Sequence, residues 1–237
     1  MADIRIYGSG SAFRHARATR DIDLGFRGEP DTGGEALAGY IQRSLAKAAR
    51  ADLGDFFVFE VGGMRMELDG PVYGGARYPV RAMVDARLFA AFHVDAAVGD
   101  YVPGEVESAG EDDFLSFAGI KAASFPIIPR EVQFAEKLHA YTMPRSVPNS
   151  RVRDLVDMAL LITEGGMSPD KVSAALKKVF GRRKTHALPE TLEQAPERWN
   201  LRFAELAEEC GLKMSLSEAF GSVAGFYRGA TAPPGHG

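Results

Sequence analysis

The sequence predicts an α+β fold in which a mixed sheet with flanking helices is followed by an all-helical domain. Three observations carry this. Short runs of period-two alternation recur between residues 3 and 98, the periodicity of half-buried strands. Residues 35–51 interrupt them with Ala, Leu, Ile and Lys at helical spacing. Beyond Pro126 and Pro129 every periodic stretch is helical. The boundaries read as 1–125 for the sheet-bearing core, 126–230 for the helical domain and 231–237 for a disordered tail.

In order, residues 3–7 form a short strand that runs into Gly8-Ser9-Gly10-Ser11. Residues 21–26 (Asp-Ile-Asp-Leu-Gly-Phe) alternate polar and apolar, a second strand. The Gly-, Pro- and Asp-rich stretch 27–34 is a loop before the helix. Strand-like runs follow at 56–61, 65–68, 77–85 and 89–98, and 103–113 reads as an acidic loop. Helical patterns then cover 130–142, 150–164, 168–180, about 199–210 and 215–227. Ser168-Pro169 and Ser215 look like helix starts, because a serine side chain satisfies an orphan N–H and proline is tolerated in the first turn.

Composition narrows the function classes. A hydrophobic fraction of 46% with 25% charged residues is that of a folded globular chain of 237 residues. A net charge of −4 excludes a generally basic nucleic-acid coat, so a polyanion partner needs a local patch. No apolar run approaches the roughly 18–20 residues of a membrane span, and the start shows no basic segment followed by an apolar one. The single Cys210 excludes an internal disulfide and a multi-cysteine zinc site. The expected location is the cytoplasm.

The chemistry is concentrated in residues 8–26. Asp21 and Asp23 are two apart in a strand and therefore share a face. Neighbouring carboxylates repel unless a cation sits between them, and magnesium takes one or two carboxylates together with substrate phosphates. A glycine/serine turn after a strand can aim backbone N–H groups at phosphate. Ile22 and Leu24 alternate with the aspartates and are expected to face the core. The order Gly-Ser, nine to thirteen residues, Asp-apolar-Asp resembles the signature of the polymerase-beta-like nucleotidyltransferase superfamily. Gly8-Ser9 and Gly10-Ser11 both satisfy the spacing. A third carboxylate on a neighbouring strand is then expected. Asp95, flanked by apolar residues, is preferred over Asp85 and Asp100, and His93 shares its face.

Three ordered motifs resemble a particular family, the AbiEii/AbiGii-type nucleotidyltransferase toxins of bacterial type IV toxin–antitoxin and abortive-infection systems. They are Arg17-Ala18-Thr19-Arg20-Asp21-Ile22-Asp23-Leu24, Phe134-Ala135-Glu136-Lys137-Leu138-His139-Ala140, and Asn149-Ser150-Arg151-Val152-Arg153-Asp154-Leu155-Val156-Asp157. The resemblance implies a polymerase-beta-like nucleotidyltransferase core followed by a helical domain. It implies transfer of a nucleoside monophosphate from an NTP, with tRNA 3′ ends as acceptor and Mg²⁺ or Mn²⁺ as cofactor. It also implies a cognate antitoxin with a winged-helix or helix-turn-helix domain. Carried onto this chain, Asp21, Asp23 and Asp95 would hold metal. Gly8, Ser9, Gly10, Ser11, Thr19, Lys137, Arg153 and Asp154 would bind nucleotide, and Asp157 or Asp154 would be the late acidic residue. Two departures are the seven residues before Gly8, where members usually carry helices, and the Gly-Ser-Gly-Ser turn itself. They leave a catalytically inactive nucleotide- or protein-binding module as the alternative reading.

On a helix, Arg130 and Lys137 share a face, with Phe134, Leu138 and Tyr141 as the apolar stripe. A lysine fixed on a packed helix suits charge developing on phosphate. Asp154 is a candidate partner for Arg130 or Arg151; of Asp154 and Asp157, one can orient Lys137. Arg182-Arg183-Lys184 is the one dense basic cluster and a candidate RNA contact.

Overall fold

The computed structural model describes residues 6–8, 21–26, 34–52, 54, 56–68, 74–98, 107–109 and 125–232. Ile128 ends the first of two compact units and Pro129 opens the second. The first unit is built on a sheet of β1 (Ile6–Gly8), β2 (Asp21–Phe26), β3 (Phe57–Val61), β4 (Met66–Glu67), β5 (Gly75–Val84), β6 (Arg87–Val98), β7 (Glu107–Ala109) and β8 (Phe125–Ile127), with helix α1 (Gly34–Ala48). The strand order is β3-β5-β6-β2-β1-β8-β7, and β4 adds to β5. Pairing is parallel at β2–β6 and β1–β8 and antiparallel elsewhere, so the sheet is mixed as expected.

Its longest strands, β5 and β6, form a hairpin. It turns through Asp85 and Ala86, both at positive φ (48° and 59°), as a tight two-residue hairpin demands. Register then slips by one: Met83 pairs with Leu88 and Ala82 with Ala90, which leaves Phe89 opposite nothing. This is a β-bulge. Below it, Ala76, Tyr78, Val80, Val94, Ala96 and Val98 point to one face and are buried there against Leu37, Ile41 and Leu45 of α1. The four-residue spacing of those α1 side chains is what makes a helical stripe. Tyr78 is completely buried, and its hydroxyl donates to the Ala38 carbonyl at 2.8 Å.

Three expectations are corrected. Leu24 packs on this core, but Ile22, opposite Val94, is 44% exposed and lies beyond the side chains that pack on the cluster. The stretch read as an acidic loop contains β7, and β8 includes Pro126. Both strands have three residues, too few to show a period, and proline argues against a strand in sequence.

The second unit is helical: α2 (Arg130–Thr142), α3 (Val152–Glu164), α4 (Pro169–Arg183), a 3₁₀ turn (Glu197–Trp199), α5 (Asn200–Glu209) and α6 (Leu216–Thr231). Helix α2 packs on α3 and α4, and α6 packs on the same two helices. Fully buried Phe134, Leu138, Leu155, Met158, Leu161 and Leu176 fill the centre. Helix ends follow the sequence signals in part: Ser168 occupies the N-cap of α4 without a side-chain capping bond. Ser215 and Glu218 form a reciprocal capping box at α6, and Lys184 ends α4 in the left-handed conformation. Helix α4 continues three residues past the expected Phe180. Helix α6 runs to Thr231, the first residue of the expected tail, and 233–237 lie outside the described residues. Among the described residues no helix is long and apolar enough to cross a membrane.

Candidate active site

In the sheet unit the site follows from strand register. Strands β2 and β6 run parallel, with Asp21 opposite His93 and Asp23 opposite Asp95. Strand β5 continues the row on the other side, with Arg77 opposite Asp95. Cross-strand partners share a face of the sheet, so positions 23, 95 and 77 lie side by side on the face away from the α1 core. Asp95 and Arg77 form a two-pronged ion pair: Arg77 Nε donates to Oδ1 at 2.7 Å and Nη2 to Oδ2 at 2.6 Å. The Asp95 side chain is only 13% exposed, whereas Asp23 is exposed. Half-buried His93 lies two residues from Asp95, on the same face.

Of the competing third carboxylates, Asp85 sits in the hairpin turn at the far end of β6. Asp100 lies outside the described residues. Gly8 ends β1 with its backbone opposite Leu24 and Ile127, beside the aspartate strand. Ser9, Gly10, Ser11 and Thr19 lie outside the described residues, as does the side chain of Asp21. Among the described residues no group of three or more acidic, histidine or cysteine side chains gathers as a metal cluster.

Arg77 had no place in the sequence reading. A hairpin paired regularly from the Asp85-Ala86 turn would set Arg77 opposite Val94; only the bulge at Phe89 brings it to Asp95.

In the helical unit, Lys137 of α2 reaches Asp157 of α3, Nζ to Oδ2 at 2.7 Å. Both are largely buried, at 25% and 10% side-chain exposure. Asp154 instead faces Arg151 at 3.6 Å, and Arg130 pairs with Glu164 at 4.0 Å. This separates the two acidic candidates: Asp157 orients the lysine, and Asp154 belongs to the first turn of α3. Exposed Arg153 immediately precedes Asp154 in sequence.

The other residues of the α2 motif have packing roles. Glu136 accepts from Arg183 Nε at 2.8 Å, which ties α2 to α4 and neutralises the middle of the Arg182-Arg183-Lys184 cluster. His139 is buried, with Nε2 2.8 Å from the Thr185 hydroxyl and its ring edge-on to Phe180. Burial, with the nearby His186 and Arg183, pushes its pKa down to about 4. It is therefore neutral at physiological pH.

The sheet unit thus carries a row of carboxylates, and the helical unit a largely buried lysine–aspartate pair. The chain belongs to the AbiEii family, nucleotidyltransferase toxins of type IV toxin–antitoxin systems, whose family model matches residues 11–222. Its fold is similar to that of MenT4, a nucleotidyltransferase toxin from Mycobacterium tuberculosis. The TM-score is 0.59 at 18% identity, over 97% of this chain and 76% of that one. No curated protein sequence matches the chain.

Proposed function

We propose that the chain transfers a nucleoside monophosphate from an NTP to the 3′ end of tRNA, with Mg²⁺ (or Mn²⁺) held by Asp21, Asp23 and Asp95. The observation that carries this is the register that sets Asp23 beside Asp95 on neighbouring parallel strands. The donors are all carboxylate oxygens, which suit a hard divalent ion. The Arg77 fork takes one lone pair from each Asp95 oxygen, and a carboxylate has about four such sites. The residues therefore fit the ion. A bound divalent ion supplies charge neutralisation at the triphosphate and a lowered pKa for the attacking hydroxyl.

The chain's own groups do the remaining work. Arg77 fixes the rotamer of Asp95. The Gly8 turn, with Thr19, meets the phosphates through backbone and hydroxyl donors. Lys137, presented by Asp157, carries three donors for the phosphate oxygens on which charge develops. The acceptor hydroxyl oxygen bonds to the α-phosphorus and the bond to the bridging oxygen breaks. Pyrophosphate leaves with that electron pair, and the hydroxyl proton passes to a carboxylate of the row. A toxin of this family has a cognate antitoxin, here expected to carry a winged-helix or helix-turn-helix domain. The toxin acts in the cytoplasm, where NTPs and tRNA are found.

The test is incubation of the purified chain with each labelled NTP, Mg²⁺ and total RNA. Label on the tRNA band, abolished by chelation, is expected. Label on protein alone, or none with any NTP, overturns the reading.

A further inference from the structure

The strongest charge feature of the helical unit is not the run at 182–184. It is an open groove of about 780 Å³ where the loop before α3 faces the 3₁₀ turn and α5. Arg145, Arg151, Arg153, Arg198 and Arg202 line it, against the single carboxylate of Asp154. Five guanidiniums and one carboxylate give a local charge of +4 on a chain whose total is −4.

The groove is built rather than incidental. Asn149 fastens its two walls: its amide donates to the Tyr141 carbonyl, and its own carbonyl accepts from Arg198 and from Trp199. Its side-chain oxygen also accepts from the Arg151 amide. Arg145 is anchored through Nη2 to the Ala140 carbonyl, while its buried Nε has no partner. Burial and the neighbouring Arg151 disfavour its charge, a cost that an anion in the groove relieves. Among the described residues Arg145, Arg153 and Arg198 have no carboxylate within ion-pair distance.

We propose that this groove seats the phosphodiester backbone of the RNA acceptor. The proposal rests on the RNA-acceptor reading above and adds where the strand lies. Guanidinium forks match phosphate geometry, and arginines drawn from three segments suit a strand carrying several phosphates better than one compact anion. Position agrees. Asp154 is one helical turn along α3 from Asp157, so a strand in the groove runs beside the Lys137–Asp157 pair. An acidic protein partner is the competing occupant.

The test is filter binding of the full chain to bulk tRNA between about 50 and 300 mM KCl, with the variants R198Q/R202Q and R198K/R202K. Each lost phosphate contact lowers the salt slope by about 0.7–0.9, so the glutamine pair should bind roughly 20-fold more weakly at about 150 mM. The lysine pair should keep most of the slope; both variants should stay folded, since Trp199 still donates to the Asn149 carbonyl, with calorimetric NTP binding at the wild-type level. A glutamine variant that folds and binds tRNA with unchanged slope overturns the groove assignment. So does loss of NTP affinity with tRNA binding intact. A wild-type chain that binds no tRNA removes the RNA-acceptor reading itself.

Discussion

Two carboxylates, Asp95 and Asp157, each meet a cation, and they do so by opposite means. Asp95 is gripped by the planar fork of Arg77 through two bonds, between neighbouring strands in register. Asp157 meets the flexible ammonium of Lys137 through one contact between two helices. A fork holds its partner's orientation, whereas an ammonium on a four-carbon stem can pivot to a new acceptor. The sheet unit thus fixes a carboxylate, and the helical unit stores a mobile cation.

The largest effects should come from removing the fixed carboxylates. Asp23→Asn should lower transfer by roughly 100-fold or more, read as labelled nucleotide incorporation, with the melting temperature little changed because residue 23 is exposed. Activity within about threefold of wild type would exclude Asp23 from the site. Next comes the mobile cation. Lys137→Ala should cost roughly 100-fold in turnover and also destabilise the helical unit, since largely buried Asp157 loses the ammonium it faces at 2.7 Å. Lys137→Ala/Asp157→Asn should recover stability without recovering transfer. Recovery of both would reduce the pair to a structural contact.

The comparison sharpens at Arg77. Arg77→Lys keeps the charge but loses the fork, so turnover should fall about tenfold while NTP affinity holds. Lys137→Arg, at the mobile site, should retain more activity than Arg77→Lys. The reverse ranking would reject the fixed-versus-mobile distinction.

Legibility in the sequence followed the same division. Asp21 and Asp23 could be singled out because strand periodicity and carboxylate repulsion are local facts, and Asp95 because the superfamily resemblance calls for a third carboxylate in a strand pattern. Their adjacency depends on the parallel pairing of β2 with β6, which no local pattern carries. Arg77 was hidden by the bulge at Phe89, a one-residue slip that reverses which side chains meet. In the helical unit, α2 was legible to its end residues from apolar spacing alone. The partners of Glu136 and His139 lie 47 and 46 residues away and could not be read. Of the five groove arginines, Arg151 and Arg153 stand in a motif the sequence shows, but Arg145, Arg198 and Arg202 do not, because the five cluster only after folding.

Two smaller effects concern stability. His139 has a native pKa near 4, below its unfolded value of about 6.5. Between those values the unfolded chain binds the extra proton, so stability falls as the pH drops through the window. The loss should be on the order of 1–2 kcal/mol by pH 4, seen as a falling melting temperature that His139→Gln makes less pH-dependent. The smallest effect is expected at the α6 capping box, where Ser215→Ala should cost about 1 kcal/mol by urea titration. The sheet unit has no part in either.

The β5–β6 hairpin closes on itself through a two-residue turn, a contact between neighbours in the chain. Strand β2 is different: it leaves the ribosome some seventy residues before β6, its parallel partner, and has to wait for it. Local pairings form fast and distant ones slowly, so the docking of β2 on β6 is expected to be a later step than closure of the hairpin. Asp23 meets Asp95 only at that late step, and a slip of one residue would turn it to the opposite face. The row of Asp23 and Asp95 is therefore complete only once two segments far apart in the chain have paired.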